Sequence, residues 1–397
     1  MQPSPSATWA VRSPHASSGA GTAPTTKWIL GLRADLACFV LPALAGYLCL
    51  YVNLALGVSS FLIWWFWNVV MNGPHFYATI SRTYLDAEEW RRRTPLLLGS
   101  LLVVLIGPVA LWASVAAASP LPFLAFWALQ VTWAYYHVAR QHYGFVAIYQ
   151  RLNGERAGYA NRSDFWIFHT LMFGPVLAWF LQFPELRAAL GWSPRLSSAE
   201  QAIVQWTRVG VAAALIVYVG KEATGYLRHQ TINLPKSLLL LAYVPLHLTL
   251  LFYPAVAGRY DILLFNAVVT LPHNIQYMAI VWFYNKNRYH GVDDRHVYGW
   301  APRANATLAR FIGLGLVFSV LFFYSRWYFE GLAVPFSLGR SAWAYAPLGQ
   351  YRVADLVGAI WIGFIFHHQY LDQRIWKISK DRRLNRDLRL VSGGATA

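Results

Sequence analysis

Of the twelve histidines in this chain, seven lie within or at the mouth of long apolar runs: His75, His137, His142, His169, His273, His367 and His368. Hydrocarbon offers an imidazole nothing to bond to, so such a residue needs a partner or a purpose. Neutral imidazole is also the commonest protein ligand for a metal. The other five are less informative: His15, His229, His290 and His296 fall in tails or loops, and His247 near the outer end of an apolar run.

The neighbours of these residues point to a site. Asn72-Gly73-Pro74-His75 leads to Thr79 one turn on; Pro74 removes a backbone donor, frees a carbonyl and kinks the helix where a site would be lined. Pro272-His273-Asn274 repeats the device, with Gln276 and Tyr277 three and four residues beyond His273 on the same helix face. Gln141 lies one turn from His137. His142 is about 140° around that helix from His137, so both face one centre only if the helix distorts. Asp372 follows His368 by one turn, where it would accept the second ring proton, as carboxylates do for metal-bound imidazoles. Taken singly, each histidine reads as a residue that hydrogen-bonds two helices together, and Arg140 as a snorkelling cation.

These residues need elements to position them. Apolar residues make up 57% of the chain and charged residues 13%, about half the roughly 25% charge of soluble domains. Such a surface suits lipid. Apolar runs near 36–57, 59–82, 96–117, 121–148, 165–183, 207–227, 236–254, 261–284, 307–328 and 353–373 predict an all-α, polytopic membrane protein of about ten transmembrane helices. Arg91, Arg92, Arg93 and Pro95 mark a break after the second, and Trp64, Trp65, Trp67, Trp327 and Tyr328 read as interfacial belts. Of the 33 basic residues, 26 fall at the N-terminus, the C-terminus and the ends and loops that follow even-numbered helices. That bias predicts both termini in the cytoplasm of a cell (inner) membrane protein. It also puts six of the seven histidines on helices that run the same way, between 6 and 14 residues before Arg82, Arg151, Lys286 or Arg374, and His169 enters its helix from that same side.

The expected organisation is a disordered cytoplasmic tail over 1–30, a single transmembrane domain over 31–380 and a basic cytoplasmic tail over 381–397. The net charge of +16 is read as attachment to anionic lipid, with no nucleic-acid partner. Cys38 and Cys49 share one run and form neither a disulfide framework nor a metal site.

Many imidazoles, one carboxylate and no thiolate at that depth suit non-haem iron, whether one ion or two. Iron with open positions activates dioxygen, and the substrates within reach are lipophilic: acyl chains, sterols or carotenoids. The expected ligands are His75, His137, His273 and His368, with His142 and His367 as reserve ligands. Asp372 would orient His368, while Gln141, Gln276 and Tyr277 would hydrogen-bond substrate or dioxygen; an electron donor would be a further partner if the reaction needs one. The placement of His75, His137, His273 and His368 resembles that in the membrane-integral, histidine-rich iron oxygenases. It is closer to the Brp/Blh-type carotenoid cleavage enzymes, with single histidines on several helices, than to the fatty-acid desaturases and hydroxylases with their dense histidine boxes. The resemblance implies an iron-dependent oxygenase acting on a carotenoid-like substrate. Two other classes compete: a proton-coupled transporter with helices broken at Pro74 and Pro272, and an electron-transfer protein with bis-histidine haem.

Overall fold

The computed structural model describes residues 26–155, 159–229, 232–290, 295–337, 339–378 and 380–390. It is 79% helical, and its only strands among the described residues form a two-residue hairpin, Pro347–Leu348 with Tyr351–Arg352. Ten long helices run in order. They are α1 (Leu32–Leu54), α2 (Ser60–Trp67, a π-helical turn Asn68–Asn72, then Gly73–Arg82), α3 (Ala87–Ala116), α4 (Leu121–Leu152), α5 (Tyr159–Gln182), α6 (Ser198–His229), α7 (Leu234–Phe252), α8 (Ile262–Arg288), α9 (Leu308–Glu330) and α10 (Val353–Ile375). A short α11 (Arg382–Asp387) follows.

Side-chain caps set several starts. Asp86 accepts from the Glu88 and Glu89 amides at 2.9 and 3.1 Å, Asp261 from Leu264 at 3.0 Å and Thr307 from Arg310 at 3.1 Å; each satisfies amides that have no helical partner. The Asp86 cap explains one departure from expectation. The helix begins at Ala87 and carries Arg91, Arg92 and Arg93 through the expected break, bending at Arg93 (φ −123°, ψ 18°) just before Pro95.

Six helices, α1, α3, α5, α6, α7 and α9, are long and apolar enough to cross a membrane. Much of their apolar surface is exposed, including Trp206, Ile216 and Leu227 of α6 and Leu321 of α9, a surface suited to lipid rather than water. The other four, α2, α4, α8 and α10, carry His75, His137, His273 and His368, and their polar residues are buried against one another. Helix α8 packs on α1, α2 and α4; α10 packs on α3, α4 and α9; and α9 lies along α2.

The π-turn in α2 has a local cause. In π register the amide at position 74 would bond the Val69 carbonyl, but Pro74 has no N–H. Ser319 of α9 donates to that carbonyl at 2.6 Å instead. Gly73 makes the approach possible, since a Cβ there would sit 2.6 Å from Ser319 Cα, and Gly315 admits Pro74 in the same way. Helix α8 passes through Pro272 without a break. Trp64 and Trp327, expected at an interface, pack together between α2 and α9 with ring centroids 5.8 Å apart.

The expected tails differ too. Residues 1–25 and 391–397 lie outside the described residues. Ile29 and Leu30 already donate to the Asp35 carboxylate at 2.7 and 2.8 Å. Residues 381–390, expected as tail, fold back: Leu384 and Leu388 are buried and Asp387 pairs with Arg288 at 3.2 Å. Arg288 also pairs with Asp86 at 2.8 Å and Glu88 at 2.6 Å, so the α2–α3 connection, the end of α8 and α11 are tied at one end of the bundle.

Candidate metal centre

Four helices each present residues four apart on one inward face: His75 and Thr79 of α2, His137 and Gln141 of α4, His273 and Tyr277 of α8, and His368 and Asp372 of α10. The i, i+4 spacing places each pair on one stripe of its helix. His75, His137, His368 and Asp372 are all buried, and each offers a ligand atom within 4.8 Å of the others. His368 Nε2 lies 2.7 Å from His75 Nε2 and 3.4 Å from Asp372 Oδ2, and His137 Nε2 lies 3.8 Å from the same oxygen. His273 stands directly behind, its ring centroid 4.9 Å from those of His75 and His137.

Proton positions follow from the surrounding network. Thr79 Oγ1 and Tyr277 Oη both donate to Asp372 Oδ1, at 2.9 and 2.6 Å. With its one proton spent there, the Thr79 oxygen accepts at 2.9 Å from His368 Nδ1. The bare lone pair of His368 is therefore on Nε2, facing the cluster, which is the tautomer a ligand needs. Trp376 Nε1 donates to Tyr277 Oη at 3.3 Å and completes the network. His137 Nε2 and Asp372 Oδ2 are buried without any hydrogen-bond partner. Buried polar atoms left without partners in one small cluster, together with imidazole and carboxylate chemistry, fit a divalent transition metal.

Not every expected residue takes the expected place. Asp372 does not take the second ring proton of His368; Thr79 does, and Asp372 Oδ2 faces the ligand side. His142 does not join the centre, because α4 stays regular and turns it toward α7. There its ring lies 4.1 Å from Tyr243 and 5.9 Å from His247. His367, one residue from His368, points outward and meets Tyr84 Oη at 2.8 Å through Nε2. Gln276 is used structurally: it donates to the Phe39 carbonyl at 2.8 Å and accepts at 3.1 Å from Gln141. Gln141 also donates to the His273 carbonyl at 3.0 Å. His169 meets the Phe165 carbonyl through Nδ1 among aromatic rings.

His247, which its sequence position puts near the outer end of an apolar run, is fully buried and its Nδ1 lies 2.8 Å from Tyr135 Oη. The i, i+4 pair Tyr243 and His247 in α7 was the available signal. Thr79 was visible as the residue one turn beyond His75, but its role depends on the rotation of α10.

A cleft of about 610 Å³ leads to the centre between α4, α8 and α10. His137, Asp372 and Tyr277 line its inner end, with Arg140, Arg151, Arg374 and Lys377 among its other lining residues. Arg151, Arg374 and Lys377 are exposed, so the cleft reaches the surface beside them. No family model, curated protein or solved structure matches the chain.

Proposed function

We propose that this protein is a multi-pass membrane oxidoreductase that binds a redox-active metal, iron first among the choices, and acts on a lipophilic substrate. His75, His137, His368 and Asp372 would hold the ion, with His273 beside them. The observation that carries the reading is the pair of buried, partnerless polar atoms, His137 Nε2 and Asp372 Oδ2, meeting two further imidazoles. Each unsatisfied buried polar atom costs about 1–3 kcal/mol, a cost that a cation removes. Bound iron would supply dioxygen activation. The chain's own part is to fix the tautomer of His368 through Thr79, hold Asp372 through Tyr277, exclude water with the surrounding helices and admit substrate by the cleft. The resemblance to the Brp/Blh-type oxygenases, with single histidines drawn from several helices, supports the same chemistry.

In this reading all ten long helices span a cell membrane and both termini face the cytoplasm. The skew of basic residues toward one set of loops supports that orientation. The polar stripes of α2, α4, α8 and α10 are compatible with spanning because protein, not lipid, surrounds them.

Metal analysis of detergent-purified protein tests the proposal. Near-stoichiometric iron is expected, lost in His75→Ala and Asp372→Ala while helical content and monodispersity are retained. A fully active protein free of metal ends the idea; zinc in place of iron keeps the site but redirects the chemistry to hydrolysis.

One observation favours a second reading. The 2.7 Å contact between His75 Nε2 and His368 Nε2, continued through Thr79 to Tyr277 and Asp372, is also the geometry of a proton relay in a carrier. Proton-driven flux in sealed vesicles by metal-free protein would select it. The same contact leaves no space for a macrocycle between these two rings, which weighs against haem.

A further inference from the structure

The cleft to the centre combines an apolar wall with cations that lack anions. Phe145, Ile148, Ile280 and Trp376 supply apolar surface along it. Arg140 and Arg374 lie over aromatic rings, 5.5 Å from the Tyr143 centroid and 5.0 Å from that of Tyr370. Among the described residues neither of them, nor Lys377, has a carboxylate within ion-pair distance. Other basic residues do: Arg92 and Arg93 hold Asp381 at 3.0 and 2.9 Å, and Arg187 holds Glu200 at 2.8 Å. The one carboxylate lining the cleft is Asp372, at its inner end. The basic residues at the mouth therefore attract an anion there.

We infer that the cleft receives a single-chain amphiphile with an anionic head group, the head at Arg140, Arg374 and Lys377 and the chain running inward toward His137 and Asp372. The inference rests on the proposed function only for what happens at the inner end. A volume of about 610 Å³ lies within the usual range for small-molecule sites, about 300–1,000 Å³. The head group is a carboxylate or a phosphate, since a guanidinium pair and an ammonium serve both.

Binding to the full-length protein in phosphatidylcholine nanodiscs tests this, with tritiated palmitate as the probe. Palmitoyl-lysophosphatidate and hexadecanol, matched in chain length, serve as competitors. Saturable binding near one per chain is expected, with an anionic ligand favoured over hexadecanol by roughly tenfold or more. Stronger competition by lysophosphatidate than by unlabelled palmitate assigns the site to a lipid phosphate, and the reverse assigns it to a free acid. Arg374→Glu with Lys377→Glu should abolish the anion preference and leave hexadecanol competition unchanged; Arg374→Gln with Lys377→Gln, a milder change, should reduce it. Equal competition by hexadecanol in the unaltered protein, or an anion preference that survives charge reversal, overturns the inference. Iron measured on the same samples separates the two ideas. Iron without anion preference sinks only the ligand, and anion preference without any bound metal sinks only the metal centre.

Discussion

Replacing Thr79 by valine probes the centre without touching a ligand. The side chains are nearly the same shape, so packing is preserved and only the hydroxyl is lost. That hydroxyl accepts from His368 Nδ1 at 2.9 Å and donates to Asp372 Oδ1 at 2.9 Å. Asp372 Oδ1 keeps its bond from Tyr277 at 2.6 Å, whereas the Nδ1 proton of His368 is left buried and unpaired. The cost is about 1–3 kcal/mol, and the ring escapes it by moving its proton to Nε2, where the proton competes with the metal. At about 1.4 kcal/mol per tenfold, metal affinity should fall by about 10–100-fold, the usual range for loss of an outer-sphere partner. Chelator competition on detergent-purified protein, read by elemental analysis, measures it, and Thr79→Ser should restore most of the affinity. Thr79→Val binding metal within twofold of the unaltered protein would refute the tautomer assignment. So would a Thr79→Ser variant as weak as Thr79→Val.

Further expectations follow from the packing. Gly73→Ala places a Cβ 2.6 Å from Ser319 Cα and should lower stability by about 1–3 kcal/mol, seen as a lower midpoint in a thermal size-exclusion assay. Ser319→Ala, which strands the Val69 carbonyl, should cost about 1–3 kcal/mol in the same assay. His142→Phe and His247→Phe should leave metal content unchanged, because both residues belong to the cluster around Tyr135 and Tyr243; loss of metal in either would redraw the site. Burial alone would raise the Asp381 carboxyl, but Arg92, the Leu384 amide and Arg93 together hold it below the ordinary 3.8. A carboxyl lowered on folding stabilises above its unfolded value and loses that contribution as pH falls through the folded one. The thermal midpoint should therefore drop in acid below about pH 4, and Asp381→Asn should flatten that part of the profile.

Many helix positions were readable from where the apolar runs begin and end: the expected 353–373 is Val353–Ile375, and the expected 59–82 is Ser60–Arg82 with its π-turn. Rotation about the helix axis was not. Adjacent His367 and His368 point about 100° apart, and contacts from distant helices, Tyr84 with His367 and Thr79 and His75 with His368, accompany the inward turn of His368. His142 was grouped with His137 because a distorted α4 would have served; packing on Tyr243 and His247 kept the helix regular. The role of Asp372 differs from expectation for the same reason, since Thr79, which takes the His368 ring proton, lies 289 residues before His368 in the chain. The extension of α3 through three arginines reflects the Asp86 cap and the carboxylates of Glu89 and Asp381, which pair with Arg92 and Arg93 in a stretch read from its basic residues alone.

The missing N–H of Pro74 also bears on how sequences of this kind can diverge. Val69 offers a carbonyl that only Ser319 meets, Ser319 reaches it only past Gly73, and Gly315 gives Pro74 its seat. A substitution at any one of the four strands the others, so single steps away from the set are costly and a paired replacement is the easier route. Relatives that keep this centre should carry the four positions as one inherited unit, or exchange them together. Because His75 follows Pro74 directly, an altered set should move the first ligand as well, tying drift along α9 to the geometry of a site that α9 does not itself line.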